Sequence, residues 1–286
     1  VRGVTEYFRT LVGQEGLMAS PEVCWNYMDW TDWKIGVPPA GDSGYSSVLN
    51  LQFALVLLAK AELEEFFGEN LLAARDRQLA NSIFDAVMER FWDPERGLLA
   101  DDLEKESFSE HAQILALLTG LLDEQKEEEI AEGLTTQNLI RTSIYFSHYL
   151  FETYYKIRRP DKLRERLSLW LELKEKGLKT TFEHPEPSRS DCHGWGAHPL
   201  YHFYSSLLGI RPGAPGFKSV CIKPMLGSLS WVKGTMPHPK GEIEVEIKRE
   251  GSSLEAIIAL PAEVGGSFVW EGKTYELFSG RNQIKA

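Results

Sequence analysis

SSVLNLQFALVLLAKAELEEFF, residues 46–67, predicts a helix that is apolar on nearly every side. A helix without a broad polar face has to be enveloped by neighbours. The segment that follows, Leu71–Phe91, reads differently: Ala80, Ile83, Phe84, Val87 and Phe91 fall on one stripe, while Arg75, Arg77, Asp85 and Glu89 face elsewhere. His111–Leu122 is again mostly apolar, and Asn138–Tyr155 is apolar and aromatic. Asp161–Lys176 returns to two faces, with Leu163, Leu167, Trp170 and Leu173 opposed to Lys162, Arg166 and Lys174. Two concentric rings of helices produce this alternation of enveloped and half-exposed elements. The rhythm predicts an α/α toroid, although a packed bundle or a solenoid gives a similar pattern. Roughly eight helices are readable, short of a closed ring of about twelve, so the toroid is expected to lack its first helices. EQKEEE (124–129) reads as a solvated helix face.

From about Phe217 the apolar period changes from helical to two. Ile243, Val245 and Ile247 alternate with Glu242, Glu244, Glu246 and Lys248, the pattern of a half-buried strand. SFVWEGKTYEL (267–277) predicts two short strands joined at Glu271-Gly272. IRPGAPGF (210–217), with two prolines and two glycines, is the natural boundary, giving a helical region 1–212 and a β region 213–286.

With 286 residues, 43% of them hydrophobic and 26% charged, the chain has ample material for a core. A net charge of -11 argues against nucleic acid as partner and suits a neutral or oligosaccharide ligand. Cys24, Cys192 and Cys221 form no disulfide framework and no CxxC spacing. The apolar run Leu49–Ala61 is interrupted by Asn50, Gln52 and Lys60, so no membrane span is predicted. The opening VRGVTEYFRTLV reads as helix from its first residues, which is what a chain cut from a longer one would show; compartment is not readable there.

Two segments concentrate chemistry. WNYMDWTDWKIGVPPAGDSGY (25–45) places three tryptophans and three aspartates on an irregular stretch before the buried helix. It reads either as a capping plug, with Asp42 or Ser43 starting the helix, or as a sugar platform of indole faces and hydroxyl-binding carboxylates. TTFEHPEPSRSDCHGWGAHP (180–199) is kept from regular structure by Pro185 and Pro187. His198 and His202 stand four apart, but the glutamate of HExxH is missing between them. His202 therefore reads as a hydrogen-bonded core histidine, and no metal or other cofactor is expected. There is no GxSxG and no phosphate-binding glycine motif. Carboxylates and aromatics on loops remain, the chemistry of glycoside hydrolysis or carbohydrate binding.

TTFEHPEPSRSDCHGWGAHPLY (180–201), LLGIRPGAPGF (207–217) and KPMLGSLSWVKGTMPHPKGEIEVE (223–246) resemble the C-terminal portion of bacterial α-L-rhamnosidases, glycoside hydrolase family 78. MDWTDWKIGVPPAGDSGYSSVLNLQF (28–53), SFSEHAQ (107–113) and TSIYFSHYLFETYYK (142–156) fit the same family. The resemblance implies an (α/α)6 barrel followed by a small antiparallel β-sandwich. It also implies inverting release of terminal α-linked L-rhamnose, with a rhamnose-containing oligosaccharide or glycoside as partner and a bacterial cytoplasmic or periplasmic setting. The family's base glutamate, in a T-x-x-E step, falls on Glu183, and its sugar-contacting histidine on His193. Asp29 and Trp30 match the D-W step of the rhamnose pocket, and Trp33 and Trp195 are further candidates for sugar contact. Arg189 and Asp191 are expected to brace the loop. The family's general acid sits in a D-C-P-x-R-x-E-R-type motif that nothing here matches, so the chain is expected to be a piece lacking its acid. Another α/α-toroid glycosidase, a polysaccharide lyase and a non-catalytic carbohydrate-binding fragment are the rival readings.

Overall fold

The computed structural model describes residues 1–22, 24–184 and 187–286, so Pro185 lies outside the described residues. The chain forms two compact units, residues 1–153 with 182–190 and residues 154–181 with 191–286.

The first unit is helical. Its elements are α1 (Arg2–Arg9), α2 (Ser47–Phe66), α3 (Asn70–Phe91), α4 (Glu110–Thr119) and α5 (Glu124–Thr136), with a two-stranded ribbon of β1 (Trp92–Asp93) and β2 (Leu98–Leu99) after α3. The chain leaves this unit within α6 (Ser147–Lys156). α3 packs along α2, α4 against α2, and α5 against α4. The alternation read from the sequence is present: every residue of α4 from Glu110 to Leu117 is buried, whereas α5 buries only Ile130, Ala131, Gly133 and Leu134. On α3 the predicted stripe of Ala80, Ile83, Phe84, Val87 and Phe91 is the buried face.

Two of the polar interruptions of α2, Asn50 and Lys60, are tertiary ties. Asn50 is fully buried; its side-chain oxygen accepts from Met18 N at 2.7 Å and its amide donates to Met18 O at 3.0 Å. Lys60 is buried against Asp76 of α3, which also accepts from Arg9 of α1 at 2.7 Å. Buried charges persist only when paired in this way. Helix ends follow local chemistry. Asp123 caps α5 by accepting from Lys126 N at 2.8 Å, and Gly120 ends α4 in the left-handed region at φ 69°. Ser43 does not cap α2; its hydroxyl donates to Ala40 O, and the capping position is Ser46. The helix expected from Asn138 begins only at Ser147. Ile140 is bridged to Ser109, and Glu110 captures both the amide and the hydroxyl of Thr142, which holds that stretch irregular.

The second unit carries α7 (Pro160–Glu175), with proline in its first turn, and α8 (Pro199–His202), which continues as a π-helical turn to Leu207. His202 is buried with Nδ1 3.1 Å from the Ser206 hydroxyl. Two four-stranded sheets follow. One has the order β10 (Gly280–Lys285), β7 (Ser253–Leu260), β6 (Gly241–Glu250), β5 (Trp231–His238). The other has β3 (Ile210–Pro212), β4 (Ser219–Ile222), β8 (Gly265–Trp270), β9 (Lys273–Leu277). All ladders are antiparallel except β4 with β8. Ile243, Val245 and Ile247 point into a shared core with Val220, Ile222, Ala256, Ile258 and Phe268. That core makes the two sheets a sandwich, and the first strand of it, β3, starts already at Ile210. Glu271 and Gly272 form the expected two-residue turn, both with positive φ (45° and 79°), matching the twist of a tight hairpin.

Gly266 sits opposite Val220 in the parallel ladder, where a Cβ would lie 1.9 Å from the Val220 carbonyl oxygen. Gly266→Ala is expected to push β8 off β4 and destabilise the sandwich by about 1–3 kcal/mol or more. Urea unfolding followed by far-UV circular dichroism measures this; an unchanged midpoint would show that the strands tolerate the separation.

Candidate functional site

In the first unit, three aromatic side chains of one irregular segment gather around a carboxylate from a distant one. Trp25, Tyr27 and Trp30 stand in mutual ring contact, with centroids 5.0, 5.8 and 5.2 Å apart, and Tyr145 adjoins Tyr27 at 6.1 Å. The segment is a tight turn closed on itself. Met28 N donates to Gly36 O at 2.8 Å, and the Trp25 indole donates to Ile35 O at 3.0 Å. Gly36 adopts φ 71°, and a Cβ there would meet the Tyr27 ring at 2.8 Å, so only glycine fits. Trp25, Tyr27 and Trp30 thus form one aromatic cluster.

Glu183 is 2% exposed. Its Oε1 accepts from Trp30 Nε1 at 3.1 Å and from the Arg189 guanidinium at 2.5 Å, and its Oε2 accepts from Arg189 Nε at 3.2 Å. The guanidinium also lies over the Trp30 ring, 5.1 Å from its centroid. Glu183 N donates to Ser190 O at 2.9 Å, which closes the loop behind the carboxylate. Arg189 therefore braces the loop, as expected, and does so through Glu183 itself. The hydrogen bond and charge of Glu183 raise the Arg189 pKa further above its ordinary value. Burial, then the charges of Asp29, Tyr145 and Glu183, pushes the Tyr27 phenol well above its usual range. Tyr145 is pushed up to about 12, chiefly by burial. Both phenols stay protonated at neutral pH.

Asp29 stands beside Trp30 in sequence but does not line an open surface. It is fully buried, Oδ1 accepting from the Ser143 hydroxyl at 2.5 Å, Oδ2 from Ser143 N at 2.7 Å and from His111 Nε2 at 2.9 Å. Trp33 is 7% exposed and packs its ring on His111 at 4.3 Å, with Phe146 on His111 at 4.5 Å. In the second unit, the His193 and Trp195 rings are 4.2 Å apart, and the His193 backbone is tied to Thr181 by two 2.8 Å bonds, N to Thr181 O and O from the Thr181 hydroxyl. Thr180 donates to Asp191 O, so Asp191 supplies a backbone brace.

His111, Ser143, Tyr27 and Tyr145 adjoin the expected residues but were not singled out from the sequence. His111 and Ser143 lie 82 and 114 positions from Asp29, separations without a local signal. Both sit within the motifs SFSEHAQ and TSIYFSHYL, where the concentration of hydroxyls and histidines is the one available cue. The start of α4 is itself anchored, since Ser109 and Ser107 donate to fully buried Asp101 at 2.6 and 2.7 Å.

Burial raises the Asp101 pKa above the ordinary carboxylate value, against the lowering effect of the Ser109 and Ser107 hydroxyls. The folded state therefore binds this proton more tightly than the unfolded chain. The stabilisation is complete below about pH 4 and is lost as pH rises through the folded pKa. Asp101→Asn removes the charge, so its thermal midpoint relative to wild type is expected to climb from about pH 4 to neutrality. A difference independent of pH would contradict this.

Residues 2–207 match the bacterial alpha-L-rhamnosidase 6 hairpin glycosidase domain, and residues 209–285 match the bacterial alpha-L-rhamnosidase C-terminal domain. An alpha-L-rhamnosidase of Alteromonas sp. (strain LOR) is 26% identical over 274 residues, 85% of this chain and 29% of that protein. The crystal structure of a GH78 family rhamnosidase of Bacillus sp. GL1 is similar with a TM-score of 0.82 at 22% identity, over 94% of this chain and 30% of that one. The rhamnosidase from Klebsiella oxytoca with rhamnose bound is similar with a TM-score of 0.60 at 20% identity, over 71% of this chain and 40% of that one. The chain thus spans less than a third of the length of the curated relative it matches.

Proposed function

The chain belongs to the bacterial alpha-L-rhamnosidase family of glycoside hydrolases, and from that premise we propose that it carries the water-activating half of a site that removes terminal α-linked L-rhamnose with inversion. The observation that carries the reading is Glu183: a buried carboxylate gripped by Trp30 and Arg189 at the foot of an aromatic wall. Inverting hydrolysis needs a carboxylate that takes a proton from water on one face of the sugar, while an acid about 6.5–9.5 Å away protonates the leaving oxygen. Glu183 is the base in this reading. The indole of Trp30 and the rings of Trp25 and Tyr27 supply the apolar surface that a pyranose face covers, and their bulk keeps bulk water from the carboxylate. His193 and Trp195 are assigned to sugar contact on the strength of the family motif. The acid is assigned to sequence preceding Val1, because the family's acid motif has no match here and the relatives are much longer.

Arg189 separates this reading from a lyase acting on uronates. Such an enzyme needs a cation for the substrate carboxylate, and Arg189 is committed to Glu183.

In a longer polypeptide that includes the upstream family region, Glu183→Gln is expected to lower kcat on an aryl α-L-rhamnoside by about 10²–10⁴-fold. Unfolding should be little changed, and the wild type should release the β anomer first, as proton NMR reads directly. Turnover of the Gln variant within a few-fold of wild type would remove Glu183 from the mechanism.

A further inference from the structure

We propose that His111, together with Ser143, is a positioning residue that fixes the Trp30 indole against Glu183 by locking the adjacent Asp29; its catalytic consequence rests on the reading of Glu183 as the base. Asp29 and Trp30 are consecutive, so whatever immobilises one sets where the other begins. Asp29 is immobilised from both sides: Ser143 supplies an amide and a hydroxyl, and His111 supplies the third donor at 2.9 Å. A carboxylate only accepts, so the proton of that bond resides on His111 Nε2. Trp30 then donates to Glu183 at 3.1 Å. The result is a relay of contacts, His111 to Asp29, along the backbone to Trp30, and across to Glu183.

The donors are themselves held rigidly. His111 occupies the first turn of α4, with its ring between Trp33 and Phe146. Immediately before it in the chain, Ser109 is tied to Asp101 and Glu110 holds Thr142, next to Ser143. The frame therefore fixes both Asp29 donors relative to each other. Removing the His111 donor leaves a buried carboxylate short of one hydrogen bond, and the Asp29–Trp30 segment must shift to recover it. A displacement of about 1 Å at a catalytic group costs up to about 100-fold in rate, which makes the anchor matter beyond stability.

The first arm uses the chain itself. In a sample labelled with ¹⁵N-indole and assigned through Trp30→Phe, His111→Leu is expected to speed exchange of the Trp30 Nε1 proton about tenfold, selectively. His111→Gln, which keeps a donor, should retain wild-type protection. Should the Leu variant fail to fold, Ser143→Ala removes one of the other donors and should give the same selective loss. Unchanged Trp30 exchange, or acceleration shared by all indoles, overturns the proposal. The second arm uses the longer polypeptide. His111→Leu should lower kcat about ten- to 100-fold with KM little changed, Gln should restore most of it, and in the Glu183→Gln background the Leu change should add nothing further. Losses that multiply in the double variant would overturn the coupling. A Glu183→Gln variant of normal turnover would instead defeat the base reading, with the indole exchange still deciding the position of Trp30.

Discussion

A carboxylate removed from water keeps its charge only through partners that share it, and Glu183 has Trp30 and Arg189 among its partners. The rest of the first unit is arranged to make that contact possible. Trp30 belongs to a turn closed by Gly36, and Arg189 to a loop closed by the bond between Glu183 and Ser190. Among the described residues neither segment has an α-helix or a strand, the turn holding only a short 3-10 helix at Lys34–Gly36. Stiffness comes from side chains: Asp29 and Trp33 pin the turn from below, and the ion pair pins the loop.

The helical scaffold supplies what these irregular segments lack. α4 is buried along nearly its whole length and begins at Ser109–His111, where three consecutive side chains hold Asp101, Thr142 and Asp29. One helix start therefore organises three loops. Asp101, Thr142 and Asp29 are thus each held by a side chain whose position the helix fixes, and such linked hydrogen bonds rigidify the interior. The covering ring of Trp33 on His111 excludes water from the same place.

Much of this architecture was legible before any coordinates. The stripe Ala80–Phe91 and the alternation Ile243–Val245–Ile247 are periodic, and periodicity survives tertiary context because burial enforces it. The crowded loop around Glu183 was legible for the opposite reason, since proline and clustered polar types exclude regular structure. What escaped is non-local. The helix expected from Asn138 starts at Ser147 because Glu110, far earlier in the chain, takes the Thr142 amide. Asp29 and Trp33 belong to the aromatic segment, yet they face the interior, Asp29 against His111 and Ser143 and Trp33 against His111. Trp25 and Tyr27 form the wall beside Trp30 through a backbone reversal that depends on Gly36. No spacing rule anticipates such partners.

The central claim is that Glu183 delivers water to the sugar, and removal of its side chain with supply of a substitute nucleophile tests it most directly. In the longer polypeptide carrying Glu183→Ala, azide ion fits the space the carboxylate leaves and attacks the same face of the sugar. The account predicts that azide restores turnover of an activated α-L-rhamnoside and that the product is the β-L-rhamnosyl azide. Turnover insensitive to azide, or an azide product of α configuration, would contradict it.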